Sequence, residues 1–178
     1  MCIRDRGVLG LGAVGQAIAR RCALGFDMPV SYHSRQPRPD QPYRFCPTLV
    51  ELARDSDVLV IATPGGADTR HLVDQPVLEA LGPEGFLVNI ARASVVDTNA
   101  LLQALQQRQI AGAALDVFDD EPQVPDALKV LDNVVLTPHV AGLSPQASRD
   151  TVAMVGQNLL AHFEGRPLLT PLALPAPN

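Results

Sequence analysis

One short stretch limits the folds open to this chain more than any other. "GLGAVG", Gly10 to Gly15, lies where the apolar run "GVLGL" gives way to the helical pattern "AVGQAIARRCAL". Three glycines in the spacing G-x-G-x-x-G permit three things at once. Gly10 allows a tight turn, Gly12 lets a pyrophosphate approach the backbone, and Gly15 lets a helix pack closely on a strand. A flexible turn can carry the same letters, so the context decides. A strand ahead and an αβ pattern behind predict a dinucleotide site with the phosphates at the helix N-terminus, where Ala13 and Val14 offer backbone N–H groups.

The rest of the chain continues that alternation. "PVSYH", "DVLVIAT", "GFLVNIA", "AGAALDV" and "NVVLTP" read as short strands. Between them lie helical segments with recognisable starts. Thr48 and Glu51 form a capping box ahead of "LVELAR", Asp97 is placed to cap "NALLQALQQRQ", and Ser144 followed by Pro145 opens a long last helix. Strands and helices alternating at this spacing imply βαβ units, hence an α/β fold with a doubly wound parallel sheet. The dinucleotide-binding domain is expected over residues 7–143, with a C-terminal helix and tail over 144–178. The proline-rich end "RPLLTPLALPAPN" is expected to fray. "MCIRDR", residues 1–6, carries three charges in six residues where a buried first strand should be apolar, and is read as foreign to the domain.

Composition removes several function classes. The chain has 178 residues, a net charge of −5 and 4% aromatic residues, a poor match to a nucleic-acid surface. Cys2, Cys22 and Cys46 show neither metal spacing nor a disulfide framework, so no metal site is expected and the thiols read as small buried hydrophobes in a reducing, cytoplasmic setting. No stretch approaches the roughly 20 apolar residues of a membrane span.

The end of the second strand bears on which dinucleotide binds. An NAD-type site wants an acid there to hold the ribose hydroxyls. This chain has "YHSRQPR", with Ser34 and Arg35 in that place and Arg38 close by. A hydroxyl and a guanidinium suit a 2′-phosphate, which favours NADP(H) over NAD(H); a solvated basic loop is the plainer alternative. Three further residues follow strand ends: Arg92 after "LVNIA", Glu121 after "LDVFDD" and His139 after "VVLTP". Each alone reads as a surface charge, a solvated acid or a satisfied imidazole. Together, on the sheet edge where ligands of open α/β folds sit, they point to chemistry.

At this point "GLGAVG", "ATPGGADTRHLV", "LVNIARASVVD", "AALDVFDDEP" and "LTPHVAG" make the sequence resemble the D-2-hydroxyacid dehydrogenases over Gly7 to Pro171. Within that family the pattern is most similar to the glyoxylate and hydroxypyruvate reductases. The resemblance implies reduction of a small 2-oxo acid, with Arg92 binding the substrate, His139 as acid/base and Glu121 tuning it. It places Asp116 at the nicotinamide amide. Thr63, Pro64, Thr69, Ala91 and Gly142 would line the cofactor cleft. A homodimer is the implied assembly.

Two departures from the family stand out. Ala93 and Thr98 replace the usual glycine and glutamate. If position 93 needs a positive φ, Ala93 would strain the arginine turn, whereas Thr98 should affect only a helix start. The family's separate substrate lobe also has no counterpart here. The chain therefore reads as a fragment that binds cofactor without turnover, or as a nucleotide-sensing module. Val152, Val155, Leu159 and Phe163 of its last helix are expected to stand partly uncovered.

Overall fold

A computed structural model of the chain describes residues 5–171. It divides into two compact units, residues 1–139 and 140–178. The first is built on seven strands: β1 (Arg6–Leu9), β2 (Val30–His33), β3 (Arg44–Phe45), β4 (Val58–Ile61), β5 (Phe86–Asn89), β6 (Gly112–Leu115) and β7 (Val134–Leu136). They pair in the order β3-β2-β1-β4-β5-β6-β7, every pair parallel. The fold is thus the Rossmann-type doubly wound sheet that the alternating pattern predicts. Chain order reverses at β1, which pairs with β2 on one side and β4 on the other. A crevice opens at such a point, beyond the carboxyl ends of the strands.

Helices cover the two faces unequally. Along β1, Val8 joins α1 (Ala13–Phe26) in a small cluster with Leu11, Ala19, Val30 and Tyr32. Leu9 turns to the opposite face, as alternate strand residues must. There it joins the main core, with Leu52 of α2 (Leu49–Arg54), Leu78 of α3 (Gln75–Leu81), Leu105 of α4 (Thr98–Gln106) and Leu128 of α5 (Asp126–Lys129). The caps read from the sequence are present. Thr48 and Glu51 close a reciprocal capping box, and Asp97 accepts from the N–H groups of Asn99 and Ala100.

Three elements are not foreshadowed by any pattern in the residues. Helix α3, capped by Asp74 with Pro76 in its first turn, is short and lies between two strands that read clearly. Strand β3 is two residues long, too brief for any alternation, and α5 is a single turn. Arg6, grouped with the foreign residues, forms the first position of β1, paired with Val30 and Val58. Its Nε is buried without a hydrogen-bond partner. Residues 1–4, and Cys2 with them, lie outside the described residues. Cys46 is buried and Cys22 half-buried, and burial pushes the Cys46 thiol up.

The second unit centres on α6 (Pro145–Phe163), capped by Ser144 through the N–H of Ala147. Val152 and Phe163 are 73% and 83% exposed, and Val155 and Leu159 are exposed as well. Residues 166–171 of the proline-rich end are hydrogen-bonded to the helix. Asn158 reaches them from the helix, accepting from the N–H groups of Leu169 and Thr170 and donating to the Thr170 hydroxyl. An asparagine one turn from a helix end supplies anchors that a proline-rich composition hides. Residues 172–178 lie outside the described part. Among the described residues no helix is long and apolar enough to cross a membrane, and no group of three or more His, Cys, Asp or Glu could hold a metal ion.

Candidate active site

Because every strand is parallel, the segments after β1, β2, β4, β5, β6 and β7 all emerge at one edge of the sheet. The glycine loop after β1 is shaped by sterics. Gly10 adopts φ +91°, and a Cβ there would lie 2.9 Å from the Thr63 Cα. A Cβ at Gly15 would lie 2.0 Å from the Gly10 carbonyl oxygen, so only glycine lets α1 start against the loop. Gly12 differs from both. A Cβ there would meet nothing within 4 Å, and Gly12 caps α1 without a side chain. Nothing inside the chain demands glycine at position 12, whereas a phosphate seated on the N–H groups of Ala13 and Val14 does. The residues present fit a dinucleotide.

The glycine loop is tied to the segment after β2, since the Gly10 N–H donates to the His33 carbonyl at 2.8 Å. Beyond His33, the Ser34 hydroxyl donates to the Gln36 carbonyl at 2.6 Å. Arg35 is exposed, and among the described residues its guanidinium has neither a hydrogen bond nor an ion pair. Arg38 pairs with Asp40 at 3.5 Å.

After β4, Thr63 and Pro64 run into Gly65, at which a Cβ would lie 2.7 Å from the Arg92 Cγ. The Thr69 hydroxyl lies 2.8 Å from the Pro64 carbonyl and holds this turn closed. Gly65 is therefore a site residue that the sequence reading missed. The doubled glycine in "TPGG" was the available signal.

Asn89 is a second such residue. It ends β5 with only 1% of its surface exposed. Its Oδ1 accepts from the Ala91 N–H at 3.0 Å, while its Nδ2 donates to the Arg92 carbonyl at 3.1 Å. Both ends of one buried amide thus bracket the arginine turn, as burial of such a group requires. Arg92 stays exposed, one of its Nη1 hydrogens given to the Ala91 carbonyl; among the described residues its other side-chain donors have no hydrogen-bond partner. Ala93 opens a 3-10 turn and is not among the residues with positive φ, so the alanine carries none of the strain considered from the sequence. Thr98 does more than start a helix, because its hydroxyl donates to the Asp119 carboxylate at 2.7 Å and anchors the loop leading to Glu121.

Glu121 and His139 come together across 18 residues of chain. The His139 Nδ1 lies 2.7 Å from the Glu121 Oε2, and the other carboxylate oxygen accepts from the Phe118 N–H at 3.0 Å. A carboxylate can only accept, so Nδ1 carries the hydrogen and Nε2 is turned to the other side of the ring. The Glu121 carboxyl is held below the usual carboxylate range. The His139 hydrogen bond is the largest cause and the Phe118 N–H the next, with the Arg92 charge adding to both. His139 holds φ +54°, a left-handed conformation that histidine tolerates better than most residues and that the sequence does not reveal. Asp116 is buried, its carboxylate accepting from the Thr137 hydroxyl and its N–H donating to the Asn89 carbonyl. Gly142 belongs to the second unit.

Comparison with known proteins agrees with the geometry. Residues 4–141 match the family model for the NAD-binding domain of D-isomer-specific 2-hydroxyacid dehydrogenases. The chain is 48% identical to a glyoxylate/hydroxypyruvate reductase of Arabidopsis thaliana over 93% of its own length and 53% of that protein's. It is 46% identical to a hydroxyphenylpyruvate reductase of Plectranthus scutellarioides over the same shares. The NADPH-dependent glyoxylate/hydroxypyruvate reductase of Sinorhizobium meliloti, solved with NADP and malonate, superposes with a TM-score of 0.90. Its sequence is 46% identical, covering 96% of this chain and 53% of that one. The chain spans about half the length of the relatives it matches. By its fold, its glycine loop and its family match, it belongs to the D-isomer-specific 2-hydroxyacid dehydrogenases and carries their NAD(P)-binding domain.

Proposed function

We propose that this chain is the cofactor-binding and proton-donating part of a reductase that turns a small 2-oxo acid, of the glyoxylate or hydroxypyruvate type, into the D-2-hydroxy acid with NADPH. The observation that carries the proposal is the hydrogen-bonded His139–Glu121 pair on the sheet edge that also bears Arg92 and the glycine loop. A nucleotide-sensing module has no use for an acid–base pair next to an anion-binding arginine.

The roles follow from the donor atoms. When bound, the nicotinamide supplies a hydride to the keto carbon. Arg92 takes the substrate carboxylate in a charge-assisted, two-pronged pair and sets the reacting carbon in place. As charge builds on the carbonyl oxygen, the His139 Nε2 delivers a proton to it, with Glu121 steadying the charged ring from Nδ1. Asp116 faces the nicotinamide amide. The Gly10–Gly15 loop, with Ala13 and Val14, would hold the pyrophosphate, and Thr63, Pro64, Thr69 and Ala91 would border the cofactor. Ser34 and Arg35 receive the 2′-phosphate, so NADP(H) is preferred to NAD(H). The exchange of an acid for a serine and an unpaired arginine supports that preference.

The test has two arms. Fluorescence titration of the 178-residue chain should give tighter binding of NADPH than of NADH, with the preference lost in Arg35→Ala. NADPH oxidation with glyoxylate or hydroxypyruvate should be negligible for the chain alone. Turnover should appear once the N-terminal half of a glyoxylate/hydroxypyruvate reductase is joined ahead of it, because enclosure of the substrate supplies much of the rate. Robust turnover by the 178 residues alone would overturn the division of labour, and tighter NADH binding would overturn the cofactor assignment.

A further inference from the structure

Tyr32 fills an inward position of β2 and is 1% exposed, packed beside Phe45 with ring centroids 5.5 Å apart. A phenylalanine would fill almost the same volume. The hydroxyl is therefore surplus to packing, and a buried hydroxyl needs a partner. It finds one outside the core. The Arg38 N–H donates to it at 2.6 Å, and it lies 3.4 Å from the Arg38 carbonyl.

Arg38 sits in an unusual connection. Residues 34–43 join the parallel strands β2 and β3 without a helix, and Pro37, Pro39 and Pro42 remove three of the segment's N–H donors. Few backbone bonds are left to hold it. Besides the bond to Tyr32, the Gln41 N–H donates to the Arg38 carbonyl at 3.0 Å, and the Ser34 hydroxyl closes on Gln36. The tyrosine is thus the tether between the sheet and the turn that presents Ser34, Arg35 and Arg38. At the near end, the bond from Gly10 to the His33 carbonyl fixes the same turn to the glycine loop.

We propose that the Tyr32 phenol is a positioning residue for nucleotide choice: by holding Arg38 it keeps the Ser34–Arg38 turn in the shape that accepts a 2′-phosphate. This rests on the NADP(H) reading above. A turn fixed in advance does not lose its conformational freedom when the anion arrives, so the tether strengthens binding only for ligands that use the turn. A nucleotide without the 2′-phosphate makes no demand on it.

The probes are adenosine 2′,5′-bisphosphate and AMP, titrated calorimetrically into the 178-residue chain. The unsubstituted chain and Arg35→Ala serve as references, and circular dichroism checks the fold. Tyr32→Phe should weaken the bisphosphate about three- to tenfold, the scale of one hydrogen bond, and leave AMP within about twofold. Pro37→Gly/Pro39→Gly loosens the same turn without touching the core. It should give the same selective loss, and it carries the test if Tyr32→Phe fails to fold. Equal losses for both probes, or an unchanged bisphosphate affinity, would overturn the role of Tyr32. An unsubstituted chain that binds both probes alike would instead overturn the NADP(H) reading beneath it.

Discussion

The two halves of the sheet's carboxyl edge are made ready for ligands by opposite means. On the β1 side, position is set by what is missing: Gly10, Gly12 and Gly15 leave room, and sterics dictate where the backbone runs. On the β5–β7 side, position is set by polar groups added to the chain. Asn89 brackets Arg92, Thr98 holds Asp119, and Glu121 holds His139. A steric site is rigid however the solvent changes. A hydrogen-bonded site can be retuned by one side chain and responds to pH.

The largest expected effect separates the two halves outright. With the N-terminal half of a glyoxylate/hydroxypyruvate reductase joined ahead of the chain, His139→Ala should lower kcat about a hundredfold or more, the scale of a positioned proton donor. NADPH affinity should stay unchanged. A fall in affinity equal to the fall in kcat would mean that the halves are not independent.

Next come the glycines, where two neighbours should behave differently. Gly15→Ala forces a Cβ to within 2.0 Å of the Gly10 oxygen, so both the melting temperature and nucleotide affinity should drop. Gly12→Ala meets nothing within 4 Å among the described residues, so melting should fall much less than in Gly15→Ala while NADPH affinity falls about tenfold or more. Unchanged affinity in Gly12→Ala would show that the open space beside it is not where the pyrophosphate lies.

Asn89→Ala tests the other kind of readiness. It leaves the Arg92 side chain intact but frees its turn, so KM for the 2-oxo acid should rise about tenfold while kcat holds. If kcat fell and KM held, Asn89 would be acting on the proton donor and not on the arginine.

The same contrast explains what could be read from the letters. The glycine loop was legible because a steric demand at a residue excludes every other residue type, leaving a pattern in the sequence itself. Arg92, Glu121 and His139 were legible as charged or titratable residues at strand ends. Their supports were not. Asn89 looks like one polar letter in an apolar strand, and its value lies in two backbone groups that only folding brings to its amide. Gly65 is needed because of Arg92, 27 positions later, and Tyr32 matters through a turn that has not yet formed when the sequence is read. The left-handed backbone of His139 and the two-residue β3 leave no periodic trace. Local rules found most of the elements, whereas several supports of the site depend on contacts distant along the chain, such as Gly65 against Arg92 and Thr98 on Asp119.

The smallest effect is the most direct test of hydrogen-bonded tuning. Glu121 is held below the ordinary glutamate value, first by His139 and then by the Phe118 N–H. A carboxyl with a lowered native pKa adds stability above its unfolded value, about 4.3, and loses it as the pH falls through the native one. Between pH 6 and pH 3 the unsubstituted chain should therefore lose slightly more in melting temperature than Glu121→Gln, a small difference because the pair is exposed. The titration of Glu121, followed by carboxyl carbon resonances, resolves the cause. In His139→Ala it should move up toward the ordinary value yet stay below it, because the Phe118 N–H remains. A Glu121 that titrates at the same pH with and without His139 would mean that the pair touches without tuning. The β5–β7 side would then be as indifferent to pH as the glycine loop.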